Sequence, residues 1–412
     1  MNEAQTIYLD HAATTPIAPE ARDAVLALLT EEFGNPSSLH SRGRAARVAA
    51  DAARDRLAAV LGCGHGELVF TSGGTEANNL AIRGVLDRHR DRGRHVVVST
   101  IEHDSVLATT AALTGLGRAE ATLVGPDAGG RVSPEDIAAA VRPETILVSV
   151  MLVNNEVGTV QDVGAIASLV RERNPETLIH ADAVQALGRI PVNVAELGVD
   201  LLSLSGHKVY GPKGVGALYI RRGTLIAAQL TGGGQERNRR SGTENTAGIA
   251  GFGRAVEVAE ARRPADAPRL TGLARGLMDA VTAAVPDVVV TGASGPARAP
   301  GFATLAFPGA RTDLLLTVLD RHGICASGGS ACSSGASIPS HVLGAMGLPP
   351  HVAGGALRLT PGRGTTEADM DHAARAIISA ATQVREDPAG AAVGADVSGE
   401  AFRRAVRTMG GG

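Results

Sequence analysis

Two lysines stand out in this chain as residues that can do covalent chemistry. The 412 residues include 39 basic side chains, and only Lys208 and Lys213 among them are lysine. Arginine keeps its proton near neutral pH, whereas a lysine desolvated in a pocket can lose it, and the free amine can form an imine with a carbonyl. Lys208 is therefore the first candidate for a Schiff-base residue. The alternative is that both lysines are chance survivors on a surface loop, and their neighbours must decide.

Composition favours an α/β enzyme over a helical bundle. The chain is long enough for a large domain with a smaller companion. Aromatic residues make up only 2%, with no tryptophan, so the core must be built from Ala, Val, Leu and Ile. The 52 glycines imply many tight turns and close backbone approaches.

Charge and cysteine content exclude several classes of protein. A net charge of -3 without charged blocks indicates no nucleic-acid or anionic-lipid partner. No signal peptide and no apolar run near the roughly 18 residues of a membrane span is evident, which predicts a soluble, cytoplasmic protein. The cysteines Cys63, Cys325 and Cys332 are odd in number and widely spaced, so neither a disulfide framework nor a metal site is predicted.

Short apolar runs alternate with helical patterns from about residue 65 to residue 220, which predicts repeated βα units on a largely parallel sheet. The predicted strands are 67–71, 95–99, 145–152, 177–181, 200–204 and 215–220. The predicted helices are 19–32, 40–61, 75–91, 134–141, 162–173 and 244–261.

A polar, proline-bearing segment at 261–268 predicts a hinge before a second domain. Beyond it the pattern predicts helices near 269–284, 312–322 and 367–385 and strands near 287–291 and 302–307. The expected organisation is a large cofactor-binding domain over 16–261, a small domain over 1–15 and 262–387, and a flexible tail over 388–412.

Polar residues follow the predicted strands at their carboxyl ends, where open α/β sheets bind ligands. They are the segment 71–76, Glu102 and His103, Asn154 and Asn155, Asp182 and Gln185, and Ser205, His207 and Lys208. The glycine-rich segment 71–76 opens a helix and fits neither dinucleotide nor triphosphate motifs, so it indicates a single phosphate monoester. A glycine-rich helix cap without a ligand is the alternative for this segment.

A phosphate cradle, an amine and a strand-end carboxylate together indicate pyridoxal 5'-phosphate. That cofactor needs an amine for its aldehyde, donors for its phosphate and a carboxylate on its pyridine nitrogen. Lys208, the turn at Gly74 with Ser205 and His207, and Asp182 would supply all three. For Asp182 alone, helix capping is the alternative.

Two further residues could act beside such a cofactor. His103 could lie over the ring and move protons, or it could be a helix-capping or core histidine. Arg358 interrupts an apolar stretch and could bind an amino-acid carboxylate with its two-pronged guanidinium, or form a structural salt bridge with a local acid.

Cys332 lies in a run of small residues over 326–339, which predicts an accessible, mobile thiol that can reach a substrate and then present its product. Cys325 and Cys63 are interpreted as structural or incidental.

Seven motifs in this chain resemble those of the cysteine desulfurases, which are pyridoxal-phosphate enzymes of aminotransferase fold type I. The motifs are the segments 8–16, 33–38, 71–76, 153–158, 205–213, 240–243 and 329–332. Their order matches the family over residues 7 to 385, and the long loop around Cys332 resembles the branch that serves iron–sulfur cluster assembly and tRNA thiolation. The resemblance implies a mainly parallel seven-stranded sheet between helices, with a smaller α+β domain.

The resemblance also implies roles for individual residues. Lys208 would hold the cofactor and take the substrate's Cα proton, and Cys332 would attack the sulfur of L-cysteine, leaving a persulfide and releasing alanine. His103 would stack on the ring as acid and base. Cofactor contacts would come from Gly74, Thr75, Asn155, Asp182, Gln185, Ser205, His207 and, from the second subunit of a homodimer, Thr243. The substrate carboxylate would be bound by Asn155 and Arg358.

The chain departs from the family pattern at two positions near the predicted site, because His11 stands where Asn or Tyr is common and Gly74 where Ala is common. The expected activity is transfer of sulfur from L-cysteine to an acceptor protein, an iron–sulfur scaffold or a tRNA thiolation enzyme. Selenocysteine lyase activity, another β-elimination, and a scaffold without catalysis stay open as alternatives. The sequence does not identify the acceptor.

Overall fold

The chain folds into two compact units, which a computed structural model describes over residues 6–329 and 340–386. The large unit covers residues 14–268 and 293–299, and the small unit covers 6–13, 269–292, 300–329 and 340–386. Cys332 with most of its loop, and the predicted tail over 388–412, lie outside the described residues. The predicted assignment of a cofactor to the larger domain stays a prediction.

The strands of the described residues pair into three sheets. In chain order they are β1 (Ile7–Tyr8), β2 (Leu68–Thr71), β3 (His95–Ser99), β4 (Glu120–Val124), β5 (Thr145–Ser149), β6 (Leu178–Asp182), β7 (Leu201–Ser205), β8 (Gly216–Ile220), β9 (Val289–Val290), β10 (Ala303–Ala306), β11 (Ile324–Cys325) and β12 (Ala356–Leu359).

Helices cover the sheets and connect their strands. They are α1 (Pro19–Thr30), α2 (Ser41–Leu61), α3 (Gly74–Arg88), α4 (Asp104–Gly115), α5 (Pro134–Ala139), α6 (Val163–Arg173), α7 (Val194–Leu197), α8 (Gln235–Asn238), α9 (Thr246–Ala284), α10 (Thr312–Arg321), α11 (His341–Ala345), α12 (Pro350–Ala353) and α13 (Glu367–Glu386).

The large unit is built on a seven-stranded sheet with the order β2–β8–β7–β6–β5–β3–β4. The five strands from β7 to β4 run parallel to their neighbours, and β8 is antiparallel to both β7 and β2. Every residue of β2, β3, β5, β7 and β8 is buried, as expected for strands covered on both faces. The predicted mainly parallel seven-stranded sheet is confirmed.

The reversed strand β8 places three chain segments side by side at one edge of the sheet. Gly216 at its start pairs with Thr71 at the end of β2 and with Ser205 at the end of β7. A Cβ atom on Gly216 would lie 2.5 Å from the carbonyl oxygen of Leu204 and 2.7 Å from the Cα of Gly73. Only glycine allows this close approach of the backbones.

The small unit has an α+β architecture. Strands β12, β10 and β9 form an antiparallel sheet, and β1 pairs with β11 in parallel. Apolar side chains of α9, α10 and α13 form one core with this sheet, and Phe307, Leu357 and Ile377 are fully buried in it. This core uses mainly aliphatic residues, as the composition predicts.

The predicted hinge at 261–268 lies where the two units divide, after Pro268, but it is not a break in the helix, because α9 runs without interruption through Pro264 and Pro268. Each proline removes one helical N–H donor. The helix persists because buried faces lie on both sides of this stretch, for example at Phe252 and Leu277, and because ion pairs of helical spacing bridge it. These pairs are Arg263 with Glu260 and Arg262 with Asp266.

In the part of the chain that the structure describes, no helix is long and apolar enough to cross a membrane.

Candidate active site

Lys208 ends a short 3-10 turn, Gly206–Lys208, that directly follows β7. The turn is fastened to the start of the large unit, because the carbonyl oxygen of His207 accepts hydrogen bonds from the backbone N–H of Thr15 and from its hydroxyl, both at 2.9 Å. The Lys208 side chain is partly buried. Its backbone is therefore fixed at the carboxyl end of a central strand.

Both lysines act electrostatically on His207. Burial, with the positive charges of Lys208 and Lys213, lowers the pKa of His207 to about 4. Its Nδ1 atom lies 3.2 Å from the hydroxyl of Thr14. The imidazole is therefore neutral at neutral pH and can donate or accept a hydrogen bond without adding a third positive charge.

The glycine-rich turn after β2 opens α3, as predicted. The hydroxyl of Thr71 donates to the carbonyl oxygen of Gly73 at 3.0 Å, and Thr75 is exposed in the first turn of the helix. The first N–H groups of a helix have no partner within it, so this turn offers donors to an anion. A Cβ atom on Gly74 would lie 2.7 Å from Cγ2 of Val184 and 3.7 Å from the Cβ of Ser205.

Ser205 has a buried hydroxyl that is available to hydrogen-bond a ligand. The residue is 3% exposed, and its Oγ atom has no hydrogen-bond partner among the described residues. A buried polar atom without a partner is rare in a folded protein. Beside the N-terminus of α3, this hydroxyl and the helix N–H groups form a donor set that suits a phosphate.

Asp182 ends β6 and is held by two hydrogen bonds. Its Oδ2 atom accepts from Nδ2 of Asn78 at 2.7 Å, and its Oδ1 atom accepts from the N–H of Val184 at 2.9 Å. The carboxylate is nearly buried, and no helix follows it directly, so it does not cap one. Gln185 lies buried in the turn that follows.

His103 caps α4, a helix that the sequence pattern did not predict. Its Nδ1 atom accepts a hydrogen bond from the N–H of Ser105 at 3.1 Å and lies 2.8 Å from the Ser105 hydroxyl. The helix-capping alternative for His103 is thus seen in the structure. Because this role uses only Nδ1, it does not exclude chemistry at Nε2.

The two neighbouring asparagines after β5 differ in their surroundings. Asn154 is fully buried and holds the turn, since its amide donates to Ile101 and accepts from the N–H groups of Glu156 and Val157 at 2.9 and 3.0 Å. Asn155 is only partly buried. Of the two, Asn155 is the one whose side chain can reach a ligand.

Glu102 is a buried acid that sequence reasoning placed at the site without a role. It is fully buried, and its Oε1 atom accepts from the hydroxyl of Ser99 at 2.5 Å and from the N–H of Met151 at 2.7 Å. Burial, and to a lesser degree the charge of Asp182, raises the pKa of Glu102 to about 8. Its carboxyl group is therefore protonated at neutral pH.

Thr243 is exposed on a loop that three ion pairs anchor to the rest of the large unit. The pairs are Glu236 with Arg54, Glu244 with Arg47 and Arg240 with Glu76. In the same loop α8 is not an ordinary helix, because Glu236, Arg237 and Asn238 have φ values of 47°, 57° and 62°. The loop thus leaves Thr243 exposed on a support that is anchored by ion pairs and carries a strained backbone.

Arg358 lies in the small unit, on β12. It is 2% exposed, and its Nη2 atom forms a salt bridge of 2.9 Å with Oδ1 of Asp10. The salt-bridge alternative is thus present, and the binding of a substrate carboxylate by Arg358 stays a prediction.

The two cysteines in the described part of the chain lack the features of a nucleophile. Burial, with the nearby charge of Glu67, raises the pKa of Cys63 to about 12, and burial also raises the pKa of Cys325. Both thiols stay protonated near neutral pH, which fits their interpretation as structural residues. Over residues 6–329 and 340–386, no cluster of three or more His, Cys, Asp or Glu residues could hold a metal ion.

The structure brings several predicted residues of the large unit into one hydrogen-bonded and packed group, which comprises Gly74, His103, Asp182 and Ser205. Sequence reasoning missed the residues that join them: Asn78 and Ser105, which bridge Asp182 to His103, and Val184, which packs on Gly74. No local signal marks Asn78 and Ser105, because both lie inside helices, α3 and α4, past the predicted strand ends.

Comparisons with known proteins agree with this arrangement. The aminotransferase class-V family matches residues 7–372. Cysteine desulfurase IscS of Dictyoglomus turgidum is 44% identical over 366 residues, which are 89% of this chain and 92% of that protein. A solved NifS-like protein superposes with a TM-score of 0.86 at 35% identity, over 91% of this chain and 99% of its own. SspA in complex with cysteine superposes with a TM-score of 0.75 at 34% identity, over 86% and 98%.

Proposed function

Because the chain belongs to the aminotransferase class-V family and, within it, to the cysteine desulfurases, we propose that it uses pyridoxal 5'-phosphate to remove sulfur from L-cysteine. The products are L-alanine and a persulfide on Cys332. The cysteine complex of the similar protein SspA supports this choice of substrate.

One observation carries the proposal. The lysine turn after β7, the glycine turn before α3 and the carboxylate at the end of β6 all come together at one edge of the large unit's sheet. An amine, a phosphate cradle and a carboxylate are the three groups that this cofactor requires. The buried Ser205 hydroxyl, which has no partner in the described part of the chain, fits the cofactor phosphate.

The residues that would hold the cofactor follow from their chemistry. Lys208 would hold its aldehyde carbon, Asp182 its pyridine nitrogen and Gln185 its ring oxygen. The phosphate would be bound by the N–H of Gly74, by Thr75, Ser205 and His207 and, from a second copy of the chain, by Thr243. When bound, the cofactor supplies an electron sink that makes the Cα proton of the amino acid acidic.

The chain's own side chains perform the remaining steps. The Lys208 amine takes the Cα proton, while Asn155 and Arg358 orient the substrate carboxylate. The Cys332 thiolate then attacks the substrate sulfur, so that an S–S bond forms as the C–S bond breaks. His103 assists as acid at the ring, and the persulfide sulfur passes to an acceptor protein.

The assembly and setting of the enzyme are part of the same proposal. A homodimer is required if Thr243 is to complete the site of the other copy, and its exposed position on an anchored loop supports this role. The acceptor would be an iron–sulfur scaffold or a tRNA thiolation enzyme, and the compartment the cytoplasm.

The activity is tested with purified full-length protein, L-cysteine and a reductant. Sulfide and alanine should form in equal amounts, and Cys332→Ala should form neither, because neither Cys63 nor Cys325, the thiols of the described residues, is activated. Cys63→Ala is the matched control and should keep full activity. Sulfide production by Cys332→Ala at the rate of the unaltered protein would rule out the persulfide step and place the chain among β-elimination enzymes.

A second measurement tests the cofactor site. Borohydride reduction of the cofactor-loaded protein, followed by peptide mapping, should find the cofactor on Lys208. Since the chain has only one other lysine, a label on Lys213 would overturn the assignment.

A further inference from the structure

A hydrogen-bonded chain links Asp182 to His103 through two residues that have no role in the proposed reaction. Nδ2 of Asn78 lies 2.7 Å from Oδ2 of Asp182 and 2.8 Å from Oγ of Ser105. The Ser105 hydroxyl in turn lies 2.8 Å from Nδ1 of His103. Asn78 and Ser105 are both buried. The chain therefore connects the two sides of the candidate site through groups shielded from water.

The carboxylate of Asp182 fixes the orientation of the Asn78 amide. If the amide were turned over, its oxygen would face a carboxylate oxygen at 2.7 Å, and two acceptors would repel each other. In the orientation present, both N–H bonds are used, and the buried Oδ1 atom has no partner among the described residues. The two acceptors of Nδ2, Oδ2 of Asp182 and Oγ of Ser105, thus determine the orientation of the Asn78 amide.

The direction of the Ser105 hydroxyl follows from the amide. Because Asn78 donates to Oγ, the hydroxyl proton of Ser105 is free to point at Nδ1 of His103. The N–H of Ser105 donates to the same Nδ1 atom at 3.1 Å. A backbone N–H can only donate, so Nδ1 must be an acceptor, and the proton of the neutral imidazole must lie on Nε2.

We propose that Asn78 and Ser105 are positioning residues that hold His103 in the tautomer with its proton on Nε2. This inference deepens the proposed function and rests on it for its catalytic meaning. A neutral His103 in this tautomer can donate from Nε2 but cannot accept a proton there. In this neutral form it therefore acts as a hydrogen-bond donor toward the substrate, and removal of the Cα proton falls to Lys208.

The tautomer can be measured by NMR without any turnover. In full-length protein labelled with ¹⁵N-histidine, two-bond ¹H–¹⁵N correlations at about pH 9, well above the ordinary histidine range, distinguish a protonated ring nitrogen from an unprotonated one. The His103 signals among the 12 histidines are those absent from His103→Gln. Nε2 should show the protonated shift and Nδ1 the unprotonated one.

Variants distinguish an effect of the Ser105 hydroxyl on the His103 tautomer from a general effect on the fold. Ser105→Ala keeps the backbone N–H but removes the second donor, so the ratio of the two tautomers should fall about tenfold, the weight of one hydrogen bond. Asn78→Ala should also lower this ratio. Ser105→Thr keeps a hydroxyl and should keep the ratio of the unaltered protein. Thr109→Ala is the matched control, because its hydroxyl bonds to Asn79 between the same two helices, and it should leave the ratio unchanged.

The results separate this inference from the proposed function. A proton on Nδ1 in the unaltered protein, or an unchanged ratio in both Ser105→Ala and Asn78→Ala, would overturn it. The expected tautomer in a protein that makes no sulfide from L-cysteine would uphold the inference about His103 and refute the proposed activity instead.

Discussion

The neighbouring side chain of Val184 explains why glycine occupies position 74. Alanine is common at this position in the resembling family, but here a Cβ atom would lie 2.7 Å from Cγ2 of Val184. Non-bonded carbon atoms do not approach each other this closely, so an alanine at position 74 would force one of the two side chains to move. The small residue at 74 and the branched residue at 184 therefore form a matched pair.

This pairing predicts a double-mutant rescue. Gly74→Ala should destabilise the protein by about 1–3 kcal/mol through overpacking, and Val184→Ala in the same chain should remove the clash and restore most of that loss. Urea unfolding of the two single variants and the double variant measures the coupling between the sites. Purely additive effects would show that the backbone absorbs the extra methyl group without strain.

At the scale of elements, the loop that carries Thr243 depends on a buried ion pair. Arg54 on α2 and Glu236 in α8 pair at 2.8 Å with side chains 3% and 2% exposed. Arg54 also donates to the carbonyl oxygen of Leu68 at 2.6 Å and lies over the ring of Phe70. Glu236 is thus held in a left-handed backbone conformation by a partner from a distant helix.

Breaking this pair should release the loop. Arg54→Met leaves the buried Glu236 carboxylate uncompensated and should cost about 3–5 kcal/mol of unfolding free energy. Arg22→Met removes an arginine from an exposed pair with Asp23 and should cost less than about 1 kcal/mol. Chemical denaturation compares the two, and equal losses would contradict a structural role for the buried pair.

Elements with a regular pattern were predictable from the sequence, and those set by tertiary contacts were not. All six predicted strands of the large unit exist, because their apolar runs are buried on both faces. Strand β4 was missed because it lies at the sheet edge, where Leu123 is 55% exposed and the usual alternation is reversed. Helix α4 was missed because its cap is a histidine rather than a common capping residue.

The same division applies to the candidate site. Lys208, Asp182 and the glycine turn could be predicted because each follows a strand end, where chemistry-bearing residues stand out locally. Asn78 and Ser105 could not, because their role comes from hydrogen bonds between two helices and a strand that are far apart in the chain.

At the scale of the whole molecule, buried ionisable groups make stability depend on pH in opposite directions. His180 lies fully buried between β5 and β7, with its ring nitrogens 2.8 Å from Oγ of Ser149 and 2.9 Å from Oγ of Ser203. Burial lowers the pKa of His180 to about 4. Glu102, with its raised pKa, keeps in the folded state a proton that the unfolded chain loses.

Of these groups, Glu102 alone acts between pH 6.5 and about 8, and it opposes the two histidines between pH 4.5 and 6.5. As the pH rises from 4.5 toward 8, Glu102 should lower stability, because the folded state binds the extra proton. As the pH falls from 6.5 toward 4, His180 and His207 should lower stability, because the unfolded state binds about two more protons.

The Glu102→Gln variant separates the two effects. It should lose the decline between pH 6.5 and about 8 and keep the whole decline below pH 6.5, which urea unfolding at several pH values would measure. An acid decline that is absent in this variant would contradict the burial of neutral His180 and His207.

The reversed strand β8 also has a consequence for the order in which the protein is made. Among the described strands, β2 pairs only with β8, so this early, fully buried strand has no partner in the sheet until β8 leaves the ribosome. The glycine turn and the lysine turn therefore become neighbours late in synthesis, after the parallel strands between them can already pair. Capture of the proposed cofactor would then follow completion of the seven-stranded sheet in the nascent chain.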